Sequence, residues 1–155
     1  TPAWEMRQNT YIPNSRAFSS VYMNNNTTVT PLAVLSNYYK IEGSTTTVKE
    51  QRFTSANNRL TYTGKEEING KILVIIGAKA PANNVDFSIA IAKNGVVIPN
   101  PNGSLAASAN NQSFQLTLAT EVDLLTNDYI EVFIRKNNNN TASILVEELQ
   151  FRVTD

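Results

Sequence analysis

The amino-acid sequence predicts an all-β protein, built as an antiparallel sandwich of short strands. Three observations carry this expectation. Asparagine is the commonest residue and threonine the next. Asn is poor inside helices but tolerates the left-handed angles of turns, while Thr, Val and Ile favour strands. No window holds a helical period of ten residues or more, whereas strand-like runs alternate with turn signals at intervals of roughly 8–12 residues. The connections are too short for the helices that parallel strands need, so the sheets are expected to be antiparallel.

Residues 1–18 are irregular and polar, with two prolines, and read as an N-terminal arm or a linker. The folded domain is expected over residues 19–155. Ser19–Met23 is a first strand, closed by NNNTT, and PLAVLSNYYKIEG is a second extended segment ending at Gly43. Two short pieces follow, Gln51–Phe53 and Arg59–Thr63, joined by SANN. GKILVIIGAKA, Gly70 to Ala80, is a near-continuous apolar run of strand length, which predicts a central strand buried on both faces or nearly so. After PANN, Val85 to Gly95 alternates, with Val85, Phe87, Ile89 and Ile91 on one face. Asn94-Gly95 is the strongest short-range signal for a type I′ hairpin, with VVIP as the return strand. NPNGS reads as a loop, and Phe114, Leu116 and Leu118 share one face of the next strand. LTND, YIEVFIRK, NNNN and ASILVEELQFRV complete the chain as turn, strand, turn and strand. The count is eight to ten strands, with no internal repeat of fixed period.

The chain has 155 residues, the usual size of one domain and enough for a full core without staples. It has no cysteine and no histidine. Thiolate chemistry and Ser-His or Cys-His nucleophilic sites are thereby excluded, as is the commonest metal ligand. Lys plus Arg total 13 and Asp plus Glu total 13. Neither the balance nor any run of cations speaks for nucleic acid. The longest apolar stretch, Ile72–Ile76, is too short for a membrane span, and the N-terminal residues lack the layout of a signal peptide.

Glu66–Glu67 and Glu147–Glu148 are the paired carboxylates that glycoside hydrolysis would need. The first pair lies in a turn-like segment. The second is adjacent on a strand, so its members are expected to point to opposite faces; both read as solvated surface charge, and no catalytic residue is assigned. No cofactor and no metal are expected. The Asn127–Asp128 turn and the NNNN tip are candidate calcium donors, but no acidic loop of the usual spacing is present. Asn-x-Ser/Thr patterns at Asn25, Asn26, Asn102, Asn111 and Asn139 read as turn chemistry in an Asn/Thr-rich chain. Tyr38, Tyr39, Tyr62 and Tyr129 are the aromatic candidates for a binding surface. The more economical expectation is that they pack in or at the edge of a sheet with the hydroxyl satisfied.

The order RLTYTGKEEINGKILVIIGA, FSIAIAKNGVVI, LTLATEVDLLTNDYIEVFIRK and a last apolar strand resembles the C1q/TNF-like jelly roll. The resemblance covers about residues 19–155. The element that usually begins Gly-Asp begins here Asn127-Asp128-Tyr129-Ile130, a mild departure, because Asn takes the same left-handed geometry. NRLTYTG, IAKNGVVIPN and TNDYIEVFI are closer still to versions of this fold in bacteriophage and other viral structural proteins. The resemblance implies an antiparallel jelly-roll sandwich that forms a tight homotrimer, with no enzymatic activity. It implies a virion structural protein: a capsid decoration, spike or fibre head with outer loops available for attachment to a host-surface glycan or protein. The N-terminal arm would contact other virion proteins. A secreted C1q-like or lectin-like binding module is the alternative.

On this reading Leu124–Val153 is a hairpin that supplies two strands of one sheet, with the four asparagines at an end of the trimer. Tyr129, Val132, Ile134, Leu145, Leu149 and Phe151 are expected to share core and threefold-axis packing, and Leu149→Asp is expected to disrupt the trimer. Asn137, Asn138, Asn139 and Asn140 are the candidate outer-loop contacts.

Overall fold

The computed structural model describes residues 16–99 and 103–155. Most of the proposed arm, and the sequon at Asn102, therefore lie outside the described residues. The described chain is all strand and turn. In order the strands are β1 (Phe18–Met23), β2 (Thr30–Pro31), β3 (Tyr39–Lys40), β4 (Thr46–Gln51), β5 (Phe53–Ala56), β6 (Arg59–Tyr62) and β7 (Ile68–Lys79). Then come β8 (Val85–Lys93), β9 (Val96–Val97), β10 (Gly103–Ala107), β11 (Ser113–Leu124), β12 (Tyr129–Lys136), β13 (Ser143–Ile144) and β14 (Val146–Thr154).

They form two antiparallel sheets. The first has the order β11-β7-β14-β1-β4. The second has the order β10-β8-β12-β6-β5, with β3 added on β12 and β9 on β8, and β13 pairs with β2 in a small third sheet. The longest pairing is β7 with β11, twelve residues on each side. Alternation decides what each strand buries. Ile72, Val74 and Ile76 of β7 turn inward beside Leu116 and Leu118 of β11 and Leu149, Phe151 and Val153 of β14. The second sheet answers with Phe87, Ile89 and Ile91 of β8, Ile130, Val132 and Ile134 of β12, and Leu60 and Tyr62 of β6. Phe87 and Phe114 stack across the gap, ring centroids 5.7 Å apart, which ties the two layers at one end.

The corners depend on asparagine. Among the described residues, nine other than glycine have positive φ, and seven of them are Asn: 25, 57, 58, 84, 94, 111 and 127. Asn57-Asn58 closes β5–β6 with both residues left-handed, and Asn94-Gly95 closes β8–β9 in the same way, as two-residue type I′ turns require. Asn127, where the resemblance leads one to expect Gly, has φ 72°.

Several expectations are corrected. The strand buried on both faces is β8, where Ser88, Ala90 and Ala92 are buried along with the inward residues. These small side chains sit low between the longer Arg135, Phe133 and Glu131 that face them in register on β12. β7 instead buries one face, and Leu73 and Ile75 remain half-exposed on the other. The apolar run there was continuous because both faces carry aliphatics, not because both are covered. The piece Gln51–Phe53 is broken at Arg52, whose φ of 57° carries the chain from β4 in the first sheet to β5 in the second. PLAVLSNYYKIEG is mostly loop, with only Tyr39–Lys40 and Pro31 paired. Gly103 and Ser104 belong to a strand, β10, that the loop reading of NPNGS missed. Finally, Leu124–Val153 is not a hairpin: β12 and β14 lie in different sheets, and the asparagine segment crosses between them.

Phe151 is 1% exposed at the centre of the first sheet. Phe151→Ala is expected to cost about 3–5 kcal/mol, the usual range for a buried aromatic truncated in a core that relaxes only in part. Urea unfolding should show a lower midpoint with an unchanged slope.

Candidate functional site

The two outer faces of the sandwich have different chemistry. On the second sheet the outward side chains are tied to one another. Glu131, buried, receives Lys40 Nζ at 2.6 Å and Arg59 Nε at 3.3 Å. The Arg59 guanidinium lies 3.7 Å from the Tyr129 ring centroid, and that of Arg135 lies 4.9 Å from the Tyr38 ring. Asn137 accepts from Arg135 Nε and donates to Asp86 Oδ1 and Ser88 Oγ.

The outward face of the first sheet has no such cover. Register places its side chains in rows that cross the strands. Tyr22, Gln150, Ile75 and Thr117 form one row; Ser20, Arg152, Leu73 and Ala119 form the next. Phe18, Thr154, Lys71 and Glu121 form the third. The first row holds no charge. Tyr22 is 37% exposed, and Val48 on the neighbouring β4 is 59% exposed. Aliphatic Leu73 and Ile75 thus face outward, part-exposed, on β7, a strand with partners on both sides.

Of the six residues expected to share core and axis packing, four are core residues and none of those four lies on this outward face. Val132, Ile134, Leu149 and Phe151 are buried in the core within one chain. Leu149→Asp would therefore place a charge in that core and unfold the monomer, so it cannot report on assembly. Tyr129 is half-buried on the outer face of the second sheet, and Leu145 is half-buried between β13 and β14. Sequence reasoning missed Tyr22, Leu73 and Ile75. The signal was present in the alternation within Gly70–Ala80, where every second residue must face away from the core.

The asparagine segment is less free than its composition suggests. Asn138 and Asn140 both donate to the carbonyl of Asn84, at 2.8 and 2.6 Å. Asn137 is half-buried in the polar set described above, whereas Asn139 and Asn140 are exposed. The segment is thereby fastened to the β7–β8 turn. The tyrosines also have structural partners: Tyr62 is fully buried and donates to the carbonyl of Glu66 at 2.6 Å, and the Tyr39 hydroxyl accepts from Val34 N–H at 3.0 Å. Burial raises the Tyr62 and Tyr38 hydroxyls above their ordinary range.

Asp128 was a candidate cation ligand, but its carboxylate is already used. Oδ1 accepts from Asn94 Nδ2 at 2.8 Å; Oδ2 accepts from Leu125 N–H at 2.9 Å and lies 3.2 Å from Lys93 Nζ. Burial alone would raise this carboxyl. The hydrogen bonds from Asn94, Leu125 and Lys93, with the Lys93 charge, outweigh it and hold the group below its ordinary value. Glu147 is the extra residue of a bulge between Val146 and Glu148, so the expected opposite-face placement does not hold. Both glutamates line one shallow groove with Lys79 and Gln115.

No family model matches the chain, and no curated protein matches its sequence. Solved structures do. Murine APRIL aligns with a TM-score of 0.53 at 11% identity, covering 89% of this chain and 98% of that one. The globular domain of zebrafish complement 1qA aligns with 0.53 at 10% identity, covering 90% and 96%. The PRD1 phage vertex protein aligns with 0.53 at 8% identity, also covering 90% and 96%. By fold the chain is a C1q/TNF-like jelly-roll domain.

Two outcomes test the polar arrangement. Glu131→Gln leaves Lys40 and Arg59 partly solvated and is expected to cost about 1 kcal/mol. Lys40→Ala with Arg59→Ala leaves a buried carboxylate uncompensated and should cost about 3–5 kcal/mol by denaturant titration. Asp128 has a native pKa below its unfolded value. Its stabilisation is whole above the unfolded value of about 3.9 and is lost as pH falls through the native one. The melting-temperature gap between wild type and Asp128→Asn should therefore be wide at neutral pH and close under acid.

Proposed function

We propose that the chain is a non-enzymatic structural protein of a virus particle, a jelly-roll module that assembles as a homotrimer and acts as a capsid decoration, spike or fibre head. The observation that carries assembly is the outward face of the first sheet, where Tyr22 is exposed and Leu73 and Ile75 are part-exposed, Tyr22 and Ile75 within an uncharged row, while the opposite sheet is closed over by its own polar side chains. Second and third copies are the occupants best matched to such a face, because closed cyclic symmetry covers it on every copy. Burial of aliphatic and aromatic area at about 25 cal/mol per Å² supplies the driving force without disulfides. The likeness to the PRD1 phage vertex protein supports the place in a particle. The end carrying Asn139 and Asn140, next to the β7–β8 turn, is the surface we assign to a host glycan or protein, and residues 1–15 to contact with other virion proteins; the proposed arm is shorter than the 18 residues expected, because Ala17 is buried in the core and Phe18 opens β1.

The likeness to the complement 1qA domain supports a rival, a secreted module that binds glycan or protein. Both readings use the same trimer, so a further test separates them. Antibody labelling of purified particles favours the first, and a clear glycan-array hit without particle association favours the second.

Light scattering after size exclusion should give a mass near three chains for the wild type and near one chain for Leu73→Asp/Ile75→Asp. The far-ultraviolet circular dichroism should be unchanged, because neither side chain enters the core. A monomeric wild type, or a trimer that survives the double substitution, overturns the assembly surface.

A further inference from the structure

At one corner of the open face the side chains change from apolar to cationic. A cavity of about 390 Å³ is lined by Arg16, Lys49, Lys71 and Arg152, with Phe18 and Ser20 between them. No carboxylate lines it. Register explains the convergence. Lys49 of β4 and Arg152 of β14 both face Ser20 of β1, one from each side, and Lys71 neighbours Thr154 two residues further along β14. Two strand spacings separate Lys49 from Arg152, ~10 Å at the backbone. Two long side chains span that gap and reach a single small group between them.

Among the described residues, Lys65 and Lys79 also lack an ion pair, but they stand far apart in sequence and do not share a cavity, whereas five other cations are matched. Lys40 and Arg59 meet Glu131, Lys93 meets Asp128, Arg135 meets Asn137, and Lys136 donates to the carbonyl of Thr141. Among the described residues, none of the four cations at the corner has an ion pair. Lys49 is held by the Phe18 ring, 5.3 Å from its centroid, which fixes the ammonium without neutralising it. The nearest acid by register is Glu121, opposite Lys71 on the edge strand β11 and outside the cavity lining. In a chain whose formal charge is zero, four unpaired cations around one cavity are a local excess that calls for a counter-charge.

We infer that this corner is a seat for a tetrahedral dianion, a sulfate or phosphate group. Two guanidinium forks and two ammoniums deliver donors from several directions, which suits four oxygens better than the single edge of a carboxylate. The Ser20 and Thr154 hydroxyls add neutral donors at the rim. The cluster is one cavity wide rather than a stripe, so it fits one charged group and not the backbone of a nucleic acid. The group is either a free ion or an ester carried on a larger molecule such as a sulfated saccharide. The cavity shares Leu73 with the proposed assembly face, so the seat is tested with that face open as well as in the wild type.

The test is calorimetric titration of the full chain with inorganic sulfate, inorganic phosphate and a sulfated hexasaccharide, chloride being withdrawn to hold ionic strength constant. The expected result is saturable uptake of one ion per chain. Lys49→Ala/Arg152→Ala should weaken it at least about tenfold, as loss of hydrogen bonds to a charged group implies. Lys65→Ala/Lys79→Ala, which removes the same net charge elsewhere, should leave it unchanged. Tighter binding of the saccharide than of the inorganic ions assigns the seat to an ester, and equal or weaker binding assigns it to a free ion. Non-saturating uptake, or equal loss in the two double variants, overturns the seat. Mass measured on the same samples keeps the two readings apart. Ile75→Asp disrupts the assembly face from outside the cavity lining: a trimeric wild type whose Ile75→Asp variant takes up no sulfate removes the seat and leaves assembly standing, and a monomeric wild type that binds sulfate does the reverse.

Discussion

Two sheets share one gap, and everything else in this structure follows from filling it. Facing sheets pack ~10 Å apart, so each contributes a single layer of side chains, every second residue of each strand. Val74, Ile76 and Phe151 on one side and Phe87, Ile89 and Ile134 on the other are that layer. A residue that enters the gap is, with exceptions such as Ser19, aliphatic or aromatic. Its neighbours in sequence are released to whatever the outer faces require. This is why the two outer faces differ so widely while the interior is uniform: Glu131, Arg59 and Tyr129 on one, Leu73, Ile75 and Arg152 on the other, all attached to strands of the same inward pattern.

Long strands crossing a narrow gap need tight corners, and here asparagine makes them. In most proteins glycine supplies the left-handed residue; this chain has only six glycines and, among the described residues, uses Asn at seven such positions. The amide adds what glycine lacks. Asn94 turns the chain at β8–β9, and its side chain both donates to Asp128 and accepts from the Tyr129 N–H, so one corner braces the next. Asn58 donates to the carbonyls of Ile41 and Gly43 in the same manner. The Asn-rich composition is thus a structural device spread across the fold.

Much of this was legible before any coordinates. Alternation identified β8 and β11, the apolar run YIEVFIRK marked the strand that is β12, and Asn94-Gly95 announced its turn. Composition pointed to strands and corners throughout. What was not legible was which sheet each strand joins. The sequence from Leu124 to Val153 reads as a hairpin because two apolar runs flank a polar loop, yet local pattern carries no record of the partner, which is chosen by the side chains across the gap. Arg52 shows the same limit, since nothing in its identity announces a left-handed residue that moves the chain between layers. The candidate surface was missed for a related reason. Leu73 and Ile75 lie in a run so apolar that its outward half was counted as core. The cationic corner draws on residues 16, 49, 71 and 152, which only the register of four strands brings together.

Strand β14 occupies the middle of the first sheet, between β7 and β1, although it is the last strand of the described chain. On the ribosome, then, β1 and β4 emerge first and β7 and β11 later, as two fragments of one sheet with no hydrogen bond between them. They cannot be joined until residues 146–154 have been synthesised. Until then the nascent chain carries unpaired strand edges and uncovered aliphatic faces, the features that expose a protein to aggregation and to chaperone capture. The order of the strands in the gene therefore sets a waiting time, and the keystone of the layer is the last piece delivered.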